Sequence, residues 1–330
     1  MKNKPIDMME IEQNSITDAV QMAANNFMIL QVSVGRWKGE GILTDASAKA
    51  VRDAGAKAGK ITVPLLGHHD EELRQVYREY SKVRTIFDKI TMKYQTPLKM
   101  GFVGEVPEIL SKLMKQAQIA KDKKAEFLPN YEQFIKEAIP SHGEWGAEVK
   151  RLIPTAQDLD EKFYVTIHDP KPMPVMDMAR YGCVPTDTMG KIVAASNKAL
   201  AQKFEEIKSQ TIDSALKAVE KVATQLGKDA PRLHASVIED AKIASSQLRN
   251  LCNGYDKDIR LSHIADTIDK EIINVEEPAQ WHDSMTKKLE AKDAATKTAT
   301  NLKRMKQATP VAQPPADDTL VAGGLLADLL

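Results

Sequence analysis

The sequence predicts an α+β, predominantly helical protein: a small antiparallel sheet with long helices, followed by a helical bundle or coiled-coil hairpin. Three observations carry that expectation. Short runs rich in β-branched residues occur only in the first half. Apolar residues recur at a period of 3.6 over several long stretches. A proline-dense segment around Pro170 to Pro185 then separates the mixed part from one with helical patterning alone. The implied organisation is 1–170 α+β, 171–185 connector, 186–306 helical bundle, and 307–330 tail.

In chain order, Asn14 to Asn26 suits a short helix and Phe27 to Val34 reads as a strand closed by Gly35. Asp45 to Lys57 has helical composition, with Thr44 placed to cap it. Lys60 to Leu66 is a second strand, which Pro64 consigns to an edge or an end. From Asp70, a candidate N-cap, the residues Leu73, Val76, Tyr80, Val83, Phe87 and Ile90 share one helical face. Pro97 and Gly101 punctuate an extended stretch, and Pro107 opens a helix that runs to about Phe127. Pro129 and Pro140 divide the next stretch into shorter helical pieces. Lys162 to Ile167 is the last strand.

Beyond the connector, Thr186 or Asp187 can cap a long helix through Val193, Phe204, Leu216 and Leu226, stopped by Gly227. Asp229 can cap a second helix ended by Gly254, and Ile264, Ile268 and Ile272 mark a third. Such short connections fold helices back as antiparallel neighbours, which predicts a three-helix bundle or hairpin. Trp281 to Lys306 is helical in composition, but its Ala, Lys and Thr content offers little apolar stripe, so fraying is expected.

Lys plus Arg and Asp plus Glu number 46 each, so no global field draws the protein to nucleic acid or anionic lipid. Cys183 and Cys252 fit no metal spacing and suit a reducing cytoplasm. The first residues meet Asp7, Glu10 and Glu12 before any apolar run, so no signal peptide and no membrane span is expected.

Sites of chemistry find little support. Gly55 to Thr62 superficially suggests a phosphate loop, yet the glycine spacing is one residue short and Ile61 stands where a metal-holding hydroxyl belongs. His68, His69 and Asp70 are adjacent residues that diverge at a helix start. His168-Asp169 and His282-Asp283 lack a nucleophile, and no GxSxG elbow occurs. The expectation is a protein with no catalytic residue, cofactor or metal.

Binding is better represented. Arg36-Trp37 combines two residue types enriched in hot spots; the alternative is a tryptophan packed over the sheet edge with its arginine snorkelling. Lys121, Lys123 and Lys124, and Lys303, Arg304 and Lys306, are basic runs that could touch phosphates, or simply be solvated helix faces. After the proline-containing spacer Thr309 to Pro315, the tail carries Leu325, Leu326, Leu329 and Leu330. Leu326, Leu329 and Leu330 would share one face of a helix in a partner's groove, although a disordered end is the competing reading.

The strand Phe27 to Val34 leading into Gly35-Arg36-Trp37-Lys38-Gly39, the segment Gly101 to Pro107 before a long helix, and Phe127-Leu128-Pro129-Asn130-Tyr131 together resemble a family of bacteriophage-associated proteins catalogued as a domain of unknown function. The resemblance covers roughly the first half. It implies an adaptor encoded beside a MoxR-type AAA+ ATPase and a von Willebrand A-type protein, with no catalytic residues to carry over. The expected function is thus a non-enzymatic, phage-encoded interaction protein in the host cytoplasm, with homo-oligomerisation left open. A single-stranded DNA-binding accessory protein and a virion component are the alternatives.

Overall fold

The run Phe27 to Val34, expected as one strand, breaks at Gln31 into β1 (Phe27–Leu30) and β2 (Val32–Gly35), which join different sheets. The break has a visible cause: the Gln31 carbonyl accepts from the His168 backbone N–H at 3.0 Å, where the pairing switches to a strand from far along the chain. The computed structural model describes residues 20–54, 60–173, 186–228, 234–273 and 285–308.

After a helix over 20–26 (α1), β1 and β2 lead to β3 (Glu40–Leu43), α2 (Thr44–Ala54), β4 (Ile61–Pro64) and α3 (Asp70–Ile90). Then come β5 (Met92–Gln95), β6 (Leu98–Phe102), α4 (Val106–Phe127), α5 (Tyr131–Ser141), α6 (Gly146–Leu152) and α7 (Ala156–Lys162). The strands β7 (Tyr164–Ile167) and β8 (Lys171–Pro172) precede α8 (Thr186–Leu226), α9 (Ala235–Leu251), α10 (Ile259–Thr267) and α11 (Met285–Ala308). The fold is α+β and predominantly helical, with small sheets and long helices.

Two units result. One is 28–171; the other groups α1 with the helices from 186 onward, a pairing of chain ends that no sequence pattern announced. In the first, a four-stranded sheet runs in the order β5-β6-β1-β8, while β2 pairs with β7 and β3 with β4, both antiparallel. Pro64 sits at the end of β4 opposite Glu40, where its missing N–H leaves no ladder bond unmade. The β5–β6 hairpin turns at a cis Thr96-Pro97 bond.

The core of this unit forms where α3 lies on α4. Leu73, Val76, Tyr80, Val83 and Phe87, all buried, meet Ile109, Leu113, Ala120 and Phe127. Two expected caps differ. Thr44 is the first residue of α2, and the Glu148 carboxylate from α6 does the capping, accepting from the Thr44 N–H at 2.5 Å, its hydroxyl at 2.9 Å and the Asp45 N–H at 3.1 Å. A carboxylate there meets both the unpaired amides and the positive helix end. Asp70 is likewise the first residue of α3, not its N-cap, and pairs with Arg74 one turn on. Trp145 is half-buried at the margin of the cluster around Leu43 and Leu65, with the Lys49 ammonium 5.5 Å over its ring.

In the second unit α8 ends before Gly227, whose N–H donates to the Ala223 carbonyl at 3.0 Å. The expected cap at Asp229 lies outside the described residues. α9 does not stop at Gly254 but runs into a π-helical turn, Cys252–Asp256, ended by Lys257 at φ 49°. Gly254 instead makes room for an aromatic ring. A Cβ there would lie 2.4 Å from the Phe27 ring, which packs on Phe204, itself stacked on Tyr255 at 4.8 Å. Asp258 caps α10, accepting from the Arg260 N–H at 3.0 Å.

The largest correction concerns α11. Instead of fraying, it is continuous from Met285 to Ala308 and packs along α8, adding a helix to the three that the pattern marked beyond the connector. Ala291, Ala295, Thr298 and Leu302 are all buried, at spacings of four, three and four. Small residues at that period let two backbones approach closely, so the contact comes from proximity and not from side-chain bulk.

Candidate functional site

Gly35 is where the candidate site begins. It pairs with Tyr164 across β2 and β7, and a Cβ at position 35 would lie 2.1 Å from the Tyr164 ring and 2.7 Å from the Lys162 carbonyl. Only glycine lets that ring lie across the strand, and Tyr164 is left 49% exposed. Beside it the chain turns through Arg36 and Trp37.

Arg36 is exposed but fixed. Its guanidinium donates to Ser81 Oγ at 2.8 Å and lies 5.1 Å from the centroid of the Tyr77 ring, so both contacts come from α3. A planar cation stacked and hydrogen-bonded this way loses little freedom on meeting a ligand. Trp37 is half-buried between two core clusters, one around Leu66 and Tyr131 and one around Leu43 and Leu65. The indole packs inward against both clusters, and Trp37 also lines an open groove of about 830 Å³.

The opposite wall comes from residues more than a hundred positions away, at the end of α6 and the start of α7. Leu152 is 39% exposed, and Arg151 has no ion-pair partner among the described residues. Asp158 also lines the groove, but the Thr155 hydroxyl hydrogen-bonded to it and then the Thr155 N–H hold its carboxyl below the usual range, in a capping box that starts α7. Its charge is committed. Apolar surface from Trp37, Leu152 and Tyr164 thus shares the groove with two guanidinium groups and with Glu161 and Lys162.

The basic runs are placed differently. Lys123 pairs with Glu126 at 2.6 Å, and Lys124 reaches Asp160 at 2.7 Å and the Phe163 carbonyl at 3.2 Å, tying α4 to the turn before β7. Lys121 is exposed. Lys303 and Lys306 each bridge to α8, at Glu220 and Asp213, both at 2.7 Å. Arg304 alone of that run lines a groove. Leu325, Leu326, Leu329 and Leu330 lie outside the described residues, as does the rejected phosphate-loop segment at 55–59.

Among the described residues no group of three or more His, Cys, Asp or Glu is arranged to hold a metal ion, and no helix is long and apolar enough to cross a membrane. No family model, no curated protein and no solved structure matches the chain. Of the groove's residues, sequence reasoning singled out Arg36 and Trp37 by their type; Arg151, Leu152 and Tyr164 carried no signal, because the β2–β7 pairing brings Tyr164 there and the packing of α6 on β3 brings Arg151 and Leu152.

Proposed function

We propose that this is a non-enzymatic interaction protein whose groove beside Arg36 and Trp37 docks an extended segment of a protein partner bearing apolar and acidic side chains. One observation carries the reading: partly exposed Trp37, Leu152 and Tyr164 share one groove with Arg36, held ready by Ser81 and Tyr77, and with Arg151, which has no ion-pair partner among the described residues. Aromatic and arginine side chains in one concavity are the usual anchors of protein association. The leucine-rich tail adds a second contact.

The phage-associated resemblance supports an adaptor role and names the partner class first in line, an AAA+ ATPase or its companion protein. A phosphate-binding role fits less well, since Lys123, Lys124, Lys303 and Lys306 already pair with carboxylates. Arg151 and Leu152 are exposed, so Arg151→Glu and Leu152→Asp leave the core intact. Affinity purification of the full chain and these two variants from producing cells, with quantitative mass spectrometry, should show the same partner depleted about tenfold by either change. Equal recovery in all three would mean that the groove holds no partner.

A further inference from the structure

Within the helical unit a second groove, of about 540 Å³, opens between the start of α10 and the last turns of α11. Ile259, His263 and Ile264 form one wall, Arg304 and Met305 the other. Ile259 is 81% exposed, although it opens a helix whose next apolar residue, Leu261, is fully buried. Arg260 also lines the groove, but its guanidinium is engaged by Asp258 at 2.8 Å. Arg304 has no ion-pair partner among the described residues, unlike Lys303 and Lys306 on either side of it. The groove therefore offers apolar surface and one uncommitted guanidinium.

The geometry points to an occupant from this same chain, the segment 317–330. It holds Asp317, Asp318 and Asp328 with no lysine or arginine, and five leucines, so its charge and its apolar content both complement the groove. Leu326, Leu329 and Leu330 would form one face when helical, matching a wall whose own residues recur at three and four. Position also favours it. Arg304 and Met305 belong to the last turns before the segment begins, and the proline-containing spacer Thr309 to Pro315, extended, spans roughly 20 Å. Tethering over such a length sets an effective concentration on the order of 1 mM, so a contact too weak to form between separate molecules is populated within one.

The consequence deepens the partner-binding reading above. When docked, the leucines are covered, and a partner that uses the tail must displace it from α10 and α11, which makes tail binding competitive with a built-in occupant.

Hydrogen exchange on the full-length protein tests this. Compare the natural chain, a Leu326→Asp/Leu329→Asp double variant and Ile259→Asp, with α9 as an internal reference. The double variant should exchange about tenfold faster over 259–267 and 301–308 with α9 unchanged, and Ile259→Asp should speed exchange over 317–330 to the same degree. Identical rates in all three proteins would overturn the inference. So would protection that disappears on tenfold dilution, because the occupant would then be a second copy. The readout does not involve Arg151 or Leu152, so its failure leaves the groove at Trp37 untouched, and failure there leaves this one standing.

Discussion

Tyr80 and Tyr131 are fully buried in one core cluster, yet their hydroxyls stand in opposite situations, and removing each should move stability in opposite directions. Tyr131 Oη donates to the Pro154 carbonyl at 3.0 Å. Tyr80 Oη is buried with no hydrogen-bond partner among the described residues, and burial first, with the Asp160 carboxylate adding to it, pushes that phenol up to about 12. Neither ring would shift when the oxygen is removed: Tyr80 packs on Phe163 at 5.1 Å and Tyr131 on Phe127 at 5.7 Å. Tyr131→Phe loses a net hydrogen bond of about 1 kcal/mol and leaves the carbonyl of half-buried Pro154 without that donor, for a total cost of about 1–2 kcal/mol. Tyr80→Phe removes a desolvated hydroxyl that nothing compensates, for a gain of up to about 1 kcal/mol. Urea denaturation of the two variants beside the natural chain, read by far-UV circular dichroism at neutral pH, separates the midpoints. If Tyr80→Phe is destabilising by as much as Tyr131→Phe, the hydroxyl of Tyr80 has a partner and the packing of its ring on Phe163 is wrong.

Three further outcomes rest on particular contacts. Ala295→Leu should cost about 1–3 kcal/mol by overfilling the α8–α11 contact, while Lys297→Leu, exposed on the same helix, should change little; equal midpoints would mean that α11 does not lie on α8. Gly254→Ala should force the Phe27 ring out of its tilted contact with Phe204, with a loss of about 1–3 kcal/mol, whereas Gly190→Ala, with open space at its Cβ position, should be neutral or better in the same urea titration. For Glu148, burial raises the carboxyl pKa, but bonds from the Thr44 hydroxyl and the N–H groups of Asp45 and Thr44 outweigh it, and the net shift is downward. A depressed pKa contributes stability that is present above the unfolded value and lost as pH falls through the folded one. Glu148→Gln should therefore flatten part of the acid-side decline, and superimposable midpoint-against-pH curves between about pH 7 and 3 would contradict the cap.

Much of the architecture could be read from the residues because it rests on one physical signal, the burial of large apolar side chains at a fixed period. Leu73 to Phe87 and Ile109 to Phe127 show it plainly, and both became the helices expected. Where the stabilising contact is something else, the signal fails. Ala291, Ala295 and Thr298 bury little area each and so leave no stripe, although they seat a 24-residue helix. Glu148 caps a helix that begins 104 residues earlier, a relation invisible to any local window. Phe27 ends up beside Phe204 and Tyr255 only because the chain returns after Pro172. The groove follows the same rule. Arg36 and Trp37 were recognisable by type, whereas Arg151 and Leu152 are an ordinary helix end until α6 packs on β3 and brings them to the groove.

A photo-crosslinking residue installed at position 152 of the full chain, irradiated in producing cells, asks whether the Trp37 groove holds another protein. One discrete adduct at position 152, lost when Arg151→Glu is added and lacking when the same probe is placed at exposed Lys121, is the predicted result. Either no adduct at position 152, or one indifferent to Arg151, would contradict it.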